Sequence, residues 1–173
     1  MKFYNTAAGK KETFSSESKD LGLYICGPTV YSDTHLGHAK SYVSFDVLKR
    51  WLDYRGYEVR HIQNFTDVSD ETAIGASKEG IDELEFTRKY ESEFLEKMKL
   101  LSNTSATKYT RASEFIPQIA EATKKLLDNG EAYPTDEGIF LRIKQEEHGK
   151  LLGVNLEDSL AEGTNEVDSG PKQ

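Results

Sequence analysis

The chain has 173 residues, 36% of them apolar, and a formal charge of −8 at pH 7. That length suffices for one domain with a real core and a small appendage, and the negative sign argues against a surface given over to nucleic acid. No apolar run approaches the roughly 20 residues of a membrane span, Met1-Lys2-Phe3-Tyr4-Asn5 opens no signal-peptide core, and a single cysteine forbids an internal disulfide and suits the cytoplasm.

The charge is unevenly spread. Residues 131–173 hold 10 acidic and 4 basic side chains, whereas residues 1–130 hold 20 and 18. The acidic excess therefore belongs to the tail, and a local basic patch is conceivable around Lys108 and Arg111.

In chain order, Lys2 to Asn5 reads as a short strand, and residues 6–20 as a loop or hairpin turning at Gly9-Lys10-Lys11. Leu21 to Ile25 is an apolar run of strand length, expected to be buried. It stops at Cys26-Gly27-Pro28, which suits neither a strand nor a helix interior. Ser32, Asp33 and Thr34 are all N-cap types. After them Leu36, Ala39, Val43, Val47, Trp51 and Leu52 recur at helical spacing until Gly56, with Trp51 and Tyr54 expected in the core.

Glu58 to Asn64 alternates, with Val59, His61 and Gln63 on one face and Arg60 and Ile62 on the other. A helix separates this strand from the first, so the two should be parallel, forming a strand–helix–strand unit of a doubly wound sheet. Ligands of such sheets collect at the strands' carboxyl ends, which is where Cys26 and Asn64-Phe65-Thr66-Asp67 fall. Helices follow at Asp70–Lys78, ending at Gly80, and at Asp82–Leu101 through Leu84, Phe86, Tyr90, Phe94, Met98 and Leu101. The charges of the second read as a solvated face, and Asp67 and Asp70 as caps of the helix after them. Asn103 to Thr110 reads as a loop anchored by Tyr109.

Ala112 to Asn129 is a further helix, stopped by Asn129-Gly130. Ala132-Tyr133, a turn at Pro134-Thr135-Asp136, and Ile139-Phe140-Leu141 make a hairpin, and Leu156 to Ala161 suits a helical turn or two. Ser169-Gly170-Pro171-Lys172-Gln173 reads as an interruption rather than a finished terminus.

The chemistry gathers in residues 24–38. His35 and His38 are three apart, so both can face one ligand. They open a helix whose N–H groups and dipole favour an anion, for which phosphate is the natural candidate. Gly37 lets a ligand approach the backbone. A lone cysteine after a strand is most often a small buried hydrophobe.

Cys26-Gly27-Pro28-Thr29-Val30-Tyr31 followed by His35-Leu36-Gly37-His38 resembles the start of the cysteinyl-tRNA synthetases, a family of class I aminoacyl-tRNA synthetases. The second element is similar to the class signature His-Ile-Gly-His. Asn64-Phe65-Thr66-Asp67-Val68-Ser69-Asp70 is similar to the family's Asn-(Phe/Ile)-Thr-Asp-(Val/Ile)-Asp-Asp run, and the likeness extends from Phe3 to about Gly170. Ser69 stands in place of the usual acid, Glu71 of a frequent lysine and Lys40 of a common arginine.

The resemblance implies an α/β fold. Residues 1–128 would be the first half of a Rossmann-like nucleotide-binding catalytic domain, and residues 129–173 the start of a connective domain carrying the hairpin. It implies ATP-dependent activation of cysteine to cysteinyl-adenylate and transfer to tRNA-Cys. His35, Gly37 and His38 would hold ATP, with the two histidines catalytic, while Gly27, Thr29 and Thr66 would line the pocket for the cysteine substrate.

Cys26 would be one zinc ligand. The family's other ligands, a cysteine, a histidine and a glutamate, have no counterpart here, since His61 and His148 are poorly placed to replace them. A tight zinc site on this chain alone is therefore not expected. Nor does the sequence hold a Lys-Met-Ser-Lys-Ser run. The expectation is thus a front portion, inactive by itself, with an unpaired sheet edge open to self-association. Two other readings are a ligase joining cysteine to an amino sugar through the same adenylate, and a non-catalytic paralogue that binds a nucleotide or a protein partner.

Overall fold

The computed structural model describes residues 1–103, 106–143, 149–151 and 153. The chain runs β1 (Lys2–Asn5), β2 (Lys10–Thr13), β3 (Asp20–Ile25), α1 (Leu36–Tyr54), β4 (Glu58–Phe65), α2 (Asp70–Glu79) and α3 (Glu83–Leu100). After these come β5 (Lys108–Arg111), a 3-10 turn (Ala112–Phe115), α4 (Ile116–Asp128), β6 (Ala132–Thr135) and β7 (Gly138–Leu141). Two compact units result, one of Glu17–Ile116 and one of Met1–Ser16 with Pro117–Gln173.

The unit Glu17–Ile116 is built on a parallel sheet in the order β3-β4-β5. β3 and β4 pair from Asp20↔Glu58 to Ile25↔Gln63, the parallel arrangement the intervening helix predicts. In β4 the alternation is realised: Val59, His61, Gln63 and Phe65 are buried while Glu58, Arg60 and Ile62 are exposed. β3 departs from its reading as a buried strand, because Gly22 and Tyr24 are exposed beside Arg60 and Ile62.

The other face carries the core. Ile25, Val30, Tyr42, Phe65, Phe94 and Met98 form one buried cluster, with Leu23, Tyr90, Leu95 and Tyr109 packed against it. Phe94 sits edge-on to both Tyr42 and Phe65, with ring centroids 5.2 and 5.5 Å apart, and Tyr109 stacks on Phe65 at 5.1 Å. Burying each such ring contributes about 2 kcal/mol or more.

Tyr109 is the anchor the sequence suggests, but it belongs to a strand. Lys108–Arg111 pairs with Ile62–Phe65 where a loop was expected. With one apolar residue in four, this edge strand has no alternation to reveal it. In α1 the buried line runs through Tyr42, Asp46 and Leu52. Leu36, Val47 and Trp51 of the expected stripe are exposed, and so is Tyr54, which stacks on Trp51 at 5.6 Å.

Local signals place the helix ends better. α2 is capped by Ser69, in a reciprocal capping box with Thr72, and not by Asp70, which is its first residue; Gly80 ends it, as expected, in the left-handed region that favours glycine. Asp82 caps α3, whose inner line of Phe86, Phe94 and Met98 is as expected, while Leu84 and Leu101 at its ends are exposed.

In the other unit, β1 and β2 form an antiparallel hairpin with Phe3 edge-on to Phe14 at 5.5 Å. β6 and β7 form a second, from Ala132↔Leu141 to Thr135↔Gly138. Its turn is at Asp136-Glu137, later than expected, and Pro134 lies within the strand. The helix read from Ala112 opens instead as the 3-10 turn and becomes α-helical at Ile116. The expected helical turn at Leu156–Ala161 lies outside the described residues. Among the described residues no helix is long and apolar enough to cross a membrane.

Candidate functional site

Past Ile25 the chain leaves the strand but stays against β4. Thr66 N–H donates to the Pro28 carbonyl at 3.1 Å, Val30 N–H donates to the Thr66 carbonyl at 3.2 Å, and Thr29 pairs with Thr66 in a parallel bridge. Gly27 N–H donates to Asn64 Oδ1 at 2.8 Å. The approach is so close that a β-carbon on Gly27 would lie 1.5 Å from the Asn64 carbonyl oxygen. A glycine is required here by contact with the neighbouring backbone.

α1 opens differently from expectation. The N-cap is His35, not Ser32, Asp33 or Thr34, and the capping groups are imidazoles. His35 Nδ1 accepts from Gly37 N–H at 3.1 Å, and His38 Nδ1 accepts from His35 N–H at 3.4 Å. An unprotonated ring nitrogen accepts as a carboxylate oxygen does, so two histidines reproduce the reciprocal capping box. The rings stack with centroids 3.9 Å apart and an interplanar angle of 19°.

This capping decides the tautomer. With both Nδ1 atoms accepting, each neutral ring carries its proton on Nε2, where it is available to a ligand. Partial burial, and then the proximity of His35, hold the His38 pKa below the ordinary 6.5. Gly37 has a further reason to be glycine, since a β-carbon there would come within 2.8 Å of His35 Cε1 and push the capping ring away.

Tyr42 ties the two segments together. Its hydroxyl donates to the Cys26 carbonyl at 3.3 Å, and its ring lies 6.3 Å from that of His38. Burial, with Cys26 and Tyr109 adding to it, raises its pKa well beyond the ordinary tyrosine range, so it stays a donor. The strand end and the helix start thus meet on one side chain. Gly27, Thr29 and Thr66 are gathered around Asn64 and the bridge, and His35, Gly37 and His38 around the cap.

Cys26 is exposed, not a buried hydrophobe, with Sγ 3.8 Å from the Gly27 carbonyl oxygen. Among the described residues no group of three or more His, Cys, Asp or Glu side chains is placed to hold a metal ion. One thiol does not make up the ligand set that zinc needs, so the described residues do not fit the metal.

Asp67 is fully buried but does not cap α2. It accepts from Ser113 N–H at 2.9 Å and from the Ser113 hydroxyl at 2.6 Å, so it caps the segment that follows β5. Arg88 lies 3.4 Å from it and 2.6 Å from Glu91 Oε2. Arg111 grips Glu91 with two nitrogens, at 2.9 and 2.5 Å, and also reaches Glu114 at 2.9 Å. Two readings change here. Glu91 is buried and not part of a solvated face, and Arg111 is consumed by carboxylates and is not part of a free basic patch.

Sequence reasoning overlooked Tyr42 and Glu91, and read Asn64 only as part of the strand-end run without a role of its own. Tyr42 carried a usable signal, being one helical turn beyond His38.

The parallel sheet and its crossovers define a class: the fold is that of class I tRNA synthetases. The structure is similar to Mycobacterium tuberculosis methionyl-tRNA synthetase in complex with methionyl-adenylate (TM-score 0.59, 19% identity, 70% of this chain and 26% of that one). It is also similar to Agrobacterium radiobacter LeuRS in a ternary complex with tRNA and LeuAMS (TM-score 0.60, 22% identity, 69% and 16%).

Sequence likeness is closer. The cysteine–tRNA ligase of Dehalococcoides mccartyi is 41% identical over 170 residues, which is 97% of this chain and 37% of that protein. That of Methanococcus maripaludis is 40% identical over 160 residues, 91% and 34% respectively. Residues 12–173 match the family described as the tRNA synthetases class I (C) catalytic domain, and the chain belongs to that family. It spans about a third of the length of these relatives.

Proposed function

We propose that the chain serves cysteine–tRNA ligation as the N-terminal portion of the catalytic machinery. Residues 1–128 supply the first half of the nucleotide-binding domain and residues 129–173 the start of a connective domain. The observation that carries this reading is the imidazole capping box, which presents two Nε2–H donors beside the strand-end segment Cys26–Thr29.

In the full reaction the carboxylate of cysteine attacks the α-phosphorus of ATP and pyrophosphate leaves. Cysteinyl-adenylate then passes its acyl group to the terminal hydroxyl of tRNA-Cys. His35 and His38 are the catalytic residues of the first step. They donate to phosphate oxygens and stabilise the charge that develops there, with Gly37 leaving room for the nucleotide. Gly27, Thr29 and Thr66 line the subsite for cysteine. Zinc is expected for the family with Cys26 as one ligand, and this chain alone does not hold it tightly. The lone exposed thiol suits work in the cytoplasm.

The test is a titration with ATP and with pyrophosphate, followed through the ring nitrogens of His35 and His38 by NMR. Before ligand, both rings should show the Nε2–H tautomer, with His38 titrating below 6.5. Both phosphates should then shift both rings, and His38→Asn should weaken ATP binding about tenfold, as the loss of one charge-assisted bond implies. Rings untouched by either ligand would refute the phosphate site. Cysteine-dependent ATP–pyrophosphate exchange by this chain alone should stay at background.

We further propose that the chain self-associates through β3, one of the two edge strands of its three-stranded sheet among the described residues. Sedimentation at rising concentration should show a growing species, and a monomer throughout excludes this assembly.

A further inference from the structure

Asn64 makes more side-chain hydrogen bonds at the proposed cysteine subsite than Gly27, Thr29 or Thr66, the residues assigned to line it. Its Oδ1 accepts from Gly27 N–H at 2.8 Å and from the Tyr24 hydroxyl at 2.9 Å, while its Nδ2 donates to Thr66 Oγ1 at 3.3 Å. The amide has one workable orientation. A backbone N–H can only donate, so the atom facing Gly27 must be oxygen, and turning the amide over would set donor against donor. The Tyr24 hydroxyl, able to donate or accept, supplies a second hydrogen to that oxygen. The NH2 group is therefore directed at Thr66.

The consequence falls on Thr66. Its backbone is already committed, the N–H to Pro28 and the carbonyl to Val30. Its hydroxyl oxygen receives a hydrogen from Asn64, so its own proton must point elsewhere. A threonine held in this way offers a donor, and the group that matches it is an acceptor such as an amino acid's carboxylate.

We propose that Asn64 is the positioning residue of the amino-acid subsite. It anchors the Cys26–Thr29 segment through Gly27, whose N–H fixes the amide's orientation, and sets the Thr66 hydroxyl to donate to the substrate carboxylate. The substrate half of this inference rests on the reading that Gly27 and Thr66 line the subsite, whereas the anchoring half stands on geometry alone.

Two variants separate the halves. Asn64→Ala removes every bond. Asn64→Asp keeps an acceptor for Gly27 and Tyr24 but turns the group facing Thr66 from donor to acceptor. Amide exchange read by NMR on the chain without ligand should show Gly27 opening about tenfold faster in Asn64→Ala. In Asn64→Asp it should stay near wild type. Equal Gly27 exchange in wild type and Asn64→Ala would overturn the anchoring.

Titration with cysteine, followed at Gly27 and Thr66, addresses the other half. Wild type should respond, and Asn64→Asp should bind at least about tenfold more weakly although its segment stays anchored. Undiminished binding by Asn64→Asp overturns the role assigned to Thr66. A wild-type chain indifferent to cysteine overturns the subsite reading, while the anchoring is still judged by exchange.

Discussion

Gly27→Ala should cost the unit Glu17–Ile116 about 3 kcal/mol or more, among the largest losses available to a single methyl group. A β-carbon there would stand 1.5 Å from the Asn64 carbonyl oxygen and 2.6 Å from its carbon. Both are backbone atoms, held in the pairing that continues through Thr29 and Thr66. No rotamer change relieves such a clash, so the strand end must lift off β4. Lifting it breaks the Gly27–Asn64 bond and displaces the Cys26 carbonyl from Tyr42. The midpoint of urea unfolding should fall with little change in slope, and the melting temperature by roughly 10 °C for a chain of this size. A variant with an unaltered midpoint would show that the segment has slack and that the approach of Gly27 to Asn64 matters little. Gly37→Ala makes a useful contrast, because its β-carbon meets a movable imidazole rather than backbone.

Glu91→Gln is expected to cost about 3 kcal/mol, the scale for breaking a buried ion pair from one side. Glu91 is 4% exposed and accepts from both Arg111 and Arg88. Burial by itself would raise its pKa, but the bonds from Arg111 and Arg88 outweigh burial and hold it below the ordinary 4.5. Arg111 is correspondingly held far into its charged form by Glu91 and Glu114. Neutralising the glutamate leaves Arg111 without its main countercharge at the start of the turn that Asp67 caps.

The sign of the pH effect follows. A carboxyl whose folded pKa is depressed stabilises the fold above its unfolded value, and that contribution disappears as the pH falls through the folded value. The unfolding midpoints of wild type and Glu91→Gln should therefore differ most near neutrality and converge below about pH 4. A constant gap down to about pH 3 would locate the stabilisation outside this charge cluster. Replacing Glu91 and Arg111 together by apolar residues should recover part of the loss, since an absent pair costs less than a broken one.

Both predictions concern contacts between residues distant in the chain, which is where the sequence was least informative. Helix ends were legible where a local group marked them, as Asp82 and Gly80 do. The alternation of β4 was legible because a half-covered strand writes its two faces into successive residues. β5 was not, because one tyrosine among polar neighbours has no period, and its pairing with β4 is what makes it a strand. Trp51 and Tyr54 were misplaced because periodicity identifies an apolar stripe but does not say which face of a helix meets a partner.

The amino-acid sequence alone determined which chemical groups stand at the strand end and the helix start, and in what order. A thiol, two glycines and two imidazoles within thirteen residues are covalent facts that no packing can alter. Tertiary structure decided what those groups can do. Asn64 reaches Gly27 across 37 residues, Ser113 reaches Asp67 across 46, and Arg111 reaches Glu91 across 20. Hydrogen bonds and charges act over a few ångströms, so their partners are defined only after the sheet has formed and brought distant segments within that range.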